Sequence, residues 1–284
     1  MLALIGIIVV LGSVLGGFTM AGGPIPVLLV PSEYIVIVGT AVGTVLVSTP
    51  MPVVKDTVSK SIAVLKANAF TRTLYLDGLK LLYSLFQMAR KEGLVAIESH
   101  IEDPDNSEIF KQYPSILKQH HAIMFLCDSL RLVLVGSVPP HDLDMLMDSE
   151  IDVHHHEAEG SVNALTKVGD SLPGIGIVAA VLGIVITMQS IAGPVEEIGH
   201  HVASALVGTF LGILLSYGFV APIAANIEAM NNEEVRFYQF HRAAVTAFAK
   251  GFAPIVIVEF ARRAIPANVR PSFTEMEEAC KNSG

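Results

Sequence analysis

Charged residues are scarce in this sequence. They make up 16% of its 284 residues, whereas 52% are hydrophobic and the mean hydropathy is +0.57. A soluble domain has about 25% charged residues, so an integral membrane protein is the expected class. The formal net charge of −9 leaves no basic patch to neutralise phosphates, which argues against nucleic-acid binding.

Cysteine is nearly absent as well. Cys127 and Cys280 lie far apart and outside the apolar runs, so they predict neither a disulfide framework nor a metal site, and we expect two reduced cytosolic thiols. The sequence also lacks an alternating strand pattern with hairpin turns, an internal repeat and a nucleotide-binding glycine loop.

The apolar N-terminus has no positively charged segment before it, as a cleavable signal would have. We interpret it as a retained first span, because about 20 apolar residues cross a bilayer. Four runs qualify as spans, and together with the helical spacing between them they predict an all-α integral membrane protein. The spans are residues 2–22, 34–50, 172–192 and 202–224.

Lysine and arginine are missing from both short loops between spans. All 18 lie between Lys55 and Lys167 or between Arg236 and Lys281. The positive-inside rule therefore places the long middle segment and both termini in the cytoplasm, and the short loops, with Glu33, in the periplasm. The expected domains are 1–53 (two spans), 54–169 (cytoplasmic, helical), 170–225 (two spans) and 226–284 (cytoplasmic tail).

No Asp, Glu, Lys or Arg lies inside the four predicted spans. A proton or cation carrier normally keeps an ionisable group at membrane depth, so either this chain moves no ions or a partner helix supplies the acid. Each span has two small residues four positions apart, which favours close helix packing. The pairs are Gly12 and Gly16, Gly39 and Gly43, Ala179 and Gly183, and Gly208 and Gly212.

Two prolines stand at the predicted cytoplasmic ends of the third and fourth spans. Pro222 either closes its span or has a functional role, while Pro173 predicts a kink if one helix continues from about Leu143 into the membrane. The run His154–His156 could bind a metal, but three consecutive helical positions point in different directions. We therefore expect surface residues there and no metal site.

Several motifs, in order, resemble the MotA family of flagellar motor stator subunits, and the resemblance covers nearly the whole chain. They are VVLGSVLGGFTMAGG, ARKEGLVAIESHIEDPDNSEIFKQYP, GDSLPGIGIVAAVLG, VGTFLGILLSYGFVAP and RPSFTEMEE. The resemblance implies an inner-membrane subunit that forms a ring, thought to be five copies, around two copies of MotB. The MotB span would supply the proton-binding aspartate, and the ring would drive the rotor protein FliG.

The resemblance also implies site residues. Arg90 and Glu98 match charges that face the rotor, and Glu150 is a further candidate for that surface. Pro173 and Pro222 match prolines that couple ion flow to conformational change.

The same resemblance bears on the coupling ion. Sodium-driven relatives have threonine where this chain has Ala180, so we expect protons as the coupling ion and no other cofactor, with Ala180 and Thr209 lining the path.

Three alternatives remain at the sequence level. An energiser of the ExbB or TolQ type would have three spans. An intramembrane hydrolase would need a base or metal ligands at membrane depth, and none lies inside the predicted spans. A self-contained transporter would leave the large cytoplasmic domain unexplained, and neither inverted repeats nor broken helices are evident.

Overall fold

The computed structural model describes residues 2–66 and 69–281, and its regular secondary structure there is entirely helical. The helices are α1 (Leu2–Met20), α2 (Pro31–Ser48), α3 (Met51–Ala63), α4 (Arg72–Glu92), α5 (Glu98–Glu102), α6 (Glu108–Lys111), α7 (Pro114–Leu117), α8 (His120–Val135), α9 (Pro140–Gln189), α10 (Val195–Leu215), α11 (Ala221–Ala249), α12 (Pro254–Ala264) and α13 (Phe273–Lys281). Four segments are long and apolar enough to cross a membrane. The predicted all-α fold with four spans is confirmed.

The chain divides into two compact units. Met1–Ala67 with Ala158–Ala229 forms the membrane unit, and Asn68–Glu157 with Met230–Gly284 forms the extramembrane unit. Two of the three boundaries between the units, after Glu157 and after Ala229, fall inside the long helices α9 and α11.

Helix α9 runs without interruption from Pro140 to Gln189. This confirms the prediction of one helix that continues from the middle segment into the third span.

The spanning segments of the membrane unit are α1, α2, the apolar end of α9 from Leu172, and α10 with the turn that follows it. α2 begins at Pro31 and α10 at Val195, earlier than the predicted 34 and 202, because a proline starts each helix or immediately precedes it. Proline suits a helix N-terminus, where a missing N–H costs nothing.

Helix α1 buries none of its residues, whereas α2, α9 and α10 share a small core. Its buried members are Ile37, Ala41, Leu172, Ile175, Ala179, Val207 and Leu211. Apolar side chains outside this core are free to face lipid or other helices, since lipid is as apolar as they are.

The extramembrane unit has a larger core, to which α4, α8, α11 and α12 all contribute. Arg242 on α11 donates to both carboxylate oxygens of Asp144 on α9 at 2.9 Å and also pairs with Asp148. These hydrogen bonds hold the pKa of Asp144 below its ordinary value. His241 is fully buried beside Phe237 and Phe240, and burial lowers its pKa to about 3.

Candidate functional site

Helices α9 and α10 contact each other through their backbones. A Cβ placed on Gly176 would lie 2.9 Å from the carbonyl oxygen of Gly208, and one on Gly212 would lie 2.6 Å from the carbonyl oxygen of Leu172. A Cβ on Gly183 would lie 2.7 Å from that of Ala205. These glycines are therefore required for the close approach, as expected for association in lipid.

The two residues predicted to line an ion path both lie at this contact. A Cβ on Gly208 would lie 3.3 Å from the backbone nitrogen of Ala180, and one on Gly176 would lie 3.3 Å from the Cα of Thr209. Both Ala180 and Thr209 are half-buried. The structure thus brings them to one helix crossing, and their role in ion flow stays a prediction.

Only two of the four small-residue pairs are used within the chain. Ala179, Gly183, Gly208 and Gly212 form the α9–α10 contact. By contrast, a Cβ added to any glycine of the other two pairs would meet no atom within 4 Å. Those glycines are Gly12, Gly16, Gly39 and Gly43, and their faces on α1 and α2 stay open.

Pro173 does not end α9, although it leaves the carbonyl of Gly169, four residues earlier, without its helical donor. The hydroxyl of Ser216 donates to that carbonyl oxygen at 2.6 Å. A buried carbonyl without a partner is costly in a membrane, so Ser216 satisfies a group that Pro173 leaves free. No local pattern in the sequence marks Ser216 for this role, because its partner lies 47 positions away.

Pro222 does not end the helical run, because α11 continues through it to Ala249. A π turn, Ser216–Val220, joins α10 to α11, and Pro222 is the second residue of α11. A proline removes an N–H from the ladder, and such irregular turns are its usual accompaniment. A Cβ on Gly169 would lie 3.6 Å from Val220 and 3.8 Å from the nitrogen of Ala221. The irregular segment before Pro222 therefore packs against α9 one turn before Pro173.

Glu33 corrects the sequence interpretation most clearly. It was placed in a short loop between spans, but it lies in the first turn of α2 with 6% of its surface exposed. A Cβ on Gly208 would overlap its Oε2 atom. The Pro-Ser-Glu sequence, with proline at the first helical position, was the signal that could have placed it inside the helix.

The predicted rotor residues lie in the extramembrane unit. Arg90 is in the last turn of α4, and Glu98 begins α5, after a turn at Gly93 whose φ is 96°. Both side chains are exposed. Glu150 on α9 is half-buried, and burial raises the pKa of its carboxyl group. Asp128 of α8 is close enough to act on it electrostatically.

The histidine run does not form a ligand set. His154 stacks on Tyr238 with ring centroids 5.1 Å apart. The ring of His121 lies edge-on to that of His154, with centroids 6.3 Å apart. Within residues 2–66 and 69–281, no group of three His, Cys, Asp or Glu side chains is arranged to hold a metal ion.

The fold and this crossing define a class: a helical protein embedded in a membrane, whose third and fourth spans pack against each other at glycine residues. Each of these two spans has a proline at one end, Pro173 and Pro222. Residues 4–93 match the family model of the motility protein A N-terminal region. Residues 118–239 match that of the MotA/TolQ/ExbB proton channel family.

Known proteins resemble this chain over nearly its whole length. Motility protein A of Salmonella typhimurium is 40% identical over 278 residues, 98% of this chain and 94% of that protein. Two solved structures share the fold. The C. jejuni MotAB structure has a TM-score of 0.77 at 19% identity, covering 95% of this chain and 98% of its own. The Bacillus subtilis flagellar MotAB stator complex has 0.76 at 24%, covering 94% and 97%.

The chain therefore belongs to the motility protein A family, within the MotA/TolQ/ExbB proton channel family. The family membership suggested by the sequence motifs is confirmed.

The link between Ser216 and Gly169 can be tested by Ser216→Ala. The change leaves the Gly169 carbonyl without its donor, so we expect a loss of about 1–2 kcal/mol in the stability of the folded membrane protein. Thermal unfolding in detergent measures it. Ser171→Ala is the matched control, because that hydroxyl bonds only to Val168 of its own helix. Equal stability of both variants would contradict the assigned role of Ser216.

Proposed function

We propose that this chain is the stator subunit of a bacterial flagellar motor, which conducts protons with a partner subunit and converts their flow into torque on the rotor. The observation that carries the proposal is the 40% identity to Motility protein A of Salmonella typhimurium over 98% of the chain. The motility protein A match at residues 4–93 supports it over an energiser of the ExbB or TolQ type. Four spans, where that alternative has three, favour it too.

The partner is a MotB-type subunit, present in two copies within a ring of five copies of this chain. Both solved structures that share the fold are of MotAB, and the one from Bacillus subtilis is a flagellar stator complex. The open glycine faces of α1 and α2 support such an assembly, because small residues let helices of other chains approach closely. The partner helix supplies the aspartate that carries protons across the membrane.

The subunit lies in the cytoplasmic membrane, with both termini and residues 54–169 in the cytoplasm. The distribution of lysine and arginine supports this orientation. FliG is the rotor partner, and it meets the exposed charges of Arg90 and Glu98. The chain is not an enzyme: its role is to form the wall of the pathway and to move.

The proposal predicts that the chain conducts protons only together with its partner. Proteoliposomes that contain the co-purified complex should acidify under a proton gradient, because a membrane-depth carboxylate of the partner is needed for transfer. Vesicles with this chain alone should remain impermeable to protons. A pH-sensitive dye inside the vesicles measures both. Equal conduction by the isolated chain would contradict the division of roles.

Charge reversal tests the rotor surface. Arg90→Glu and Glu98→Lys should each reduce swimming speed severalfold, since interface charges set encounter and register between partners. The amount of protein in the membrane should stay unchanged because both side chains are exposed. Glu278→Lys, also exposed in the extramembrane unit but on α13, is the control and should leave speed unaltered. Wild-type speed in the Arg90 and Glu98 variants would refute their role.

The coupling ion is the proton, with Ala180 and Thr209 at the crossing of α9 and α10. The methyl group of Ala180 offers no oxygen ligand for a dehydrated sodium ion, which prefers several oxygens, as hard cations do. Swimming speed should therefore fall on addition of a protonophore and stay constant as external sodium is varied. A speed that follows sodium and ignores the protonophore would establish sodium drive instead.

A further inference from the structure

Glu33 is the most deeply buried carboxylate among the residues that the structure describes. Its Oε2 atom is shielded from solvent and has no hydrogen-bond partner. An ionised carboxylate without a partner is very costly in an apolar surrounding. The carboxyl group must therefore either stay protonated or exchange its proton with a donor or acceptor that comes close to it.

The surroundings of Glu33 offer no opposite charge. The Oε2 atom lies against Gly208 of α10, which in turn contacts Ala179 and Ala180 of α9. From Leu172 to Gln189 α9 has no ionisable side chain, and neither has the single turn Ile25–Leu28 before α2. On α2 itself, Tyr34 donates to the carbonyl of Leu28 at 3.4 Å.

The titratable groups of α10 lie in its first two turns, and α10 has none from Val202 to Leu215. They are Glu196, Glu197, His200 and His201, of which Glu197 and His201 lie 3.8 Å apart. Gly208 is thirteen residues beyond Val195, the start of α10, or about 20 Å along the helix axis. The Glu33 carboxylate is thus adjacent to a part of α10 well inside the helix, away from those charged turns.

A purely structural role as a helix cap fits the contacts poorly. Glutamate at the third helical position can bond to the N–H of the residue before the helix, as in a capping box. The N-terminus of α2 has no side-chain cap, and Glu33 contributes only its backbone N–H, to the carbonyl of Val30. The side chain instead points to the α9–α10 crossing, where Gly208 leaves the space that it fills.

We propose that Glu33 is a second protonatable site in the wall of the ion pathway, additional to the carboxylate of the partner subunit. This rests on the proposed function. A hydronium ion on the periplasmic side gives its proton to the Glu33 carboxylate, forming an O–H bond there and leaving water. The neutral acid then releases the proton towards the partner's carboxylate and recovers its negative charge. Glu33 lies beside Gly208, which in turn lies beside Ala180, a residue predicted to line the ion path. This position fits a proton route through Glu33.

The test is Glu33→Gln in the complete complex with the partner subunit. Glutamine keeps the shape but cannot exchange a proton, so proton flux into proteoliposomes should fall by about threefold to tenfold, and its dependence on external pH should flatten. Glu33→Asp should keep most of the flux, because it retains the carboxylate. Glu197→Gln, whose side chain is 54% exposed, is the control and should behave as wild type.

The outcomes separate the two proposals. If wild-type complex conducts and Glu33→Gln shows the same flux and pH profile, Glu33 only fills space and this inference is wrong. If the wild-type complex does not conduct at all, the proposed function itself fails.

Infrared spectroscopy decides the case in which Glu33→Gln does not assemble. A protonated carboxyl group has its own C=O stretching band. In the wild-type complex one such band should change with external pH, and Glu33→Asp should shift it. If no pH-dependent carboxyl band differs between the wild type and Glu33→Asp, Glu33 does not exchange protons and the inference is overturned.

Discussion

The membrane unit depends on the backbone contact between α9 and α10. Gly176, Gly208 and Gly212 let the two helices approach until carbonyl oxygens and Cα atoms meet. In lipid there is no hydrophobic gain from helix association, so van der Waals contact at such positions carries it. The space for the Glu33 carboxylate, and the neighbourhood of Ala180 and Thr209, follow from the same glycines.

Satisfaction of polar groups explains the second set of contacts. In a membrane every free backbone carbonyl must find a donor, and a proline within a helix creates one that has lost its own. Ser216 supplies the donor for the carbonyl of Gly169, which Pro173 leaves free. The π turn that contains Ser216 leads directly to Pro222. The two prolines are therefore connected by one short series of contacts between α9 and the segment that joins α10 to α11.

Much of the fold could be predicted because hydrophobic length and charge placement are local properties. The four spans and the continuous α9 follow from apolar runs and helical spacing. Span ends were predicted less accurately: α10 begins after Pro194, at Val195, seven residues before the predicted start of the span, and its polar first turns hide this start in a search for apolar runs. Glu33 was misplaced for the same reason, since a charged residue at the edge of an apolar run resembles a loop until its neighbours are known.

The sequence by itself determined the class of protein, its four spans and its family, because each follows from the composition or from contiguous motifs. Only the tertiary structure decided which glycines make contacts: those of α9 and α10 pack together, while Gly12, Gly16, Gly39 and Gly43 face open space. It alone paired Ser216 with Gly169 and buried Glu33 against Gly208. Such contacts join residues 47 and 175 positions apart (216 − 169 and 208 − 33), and no local pattern specifies them.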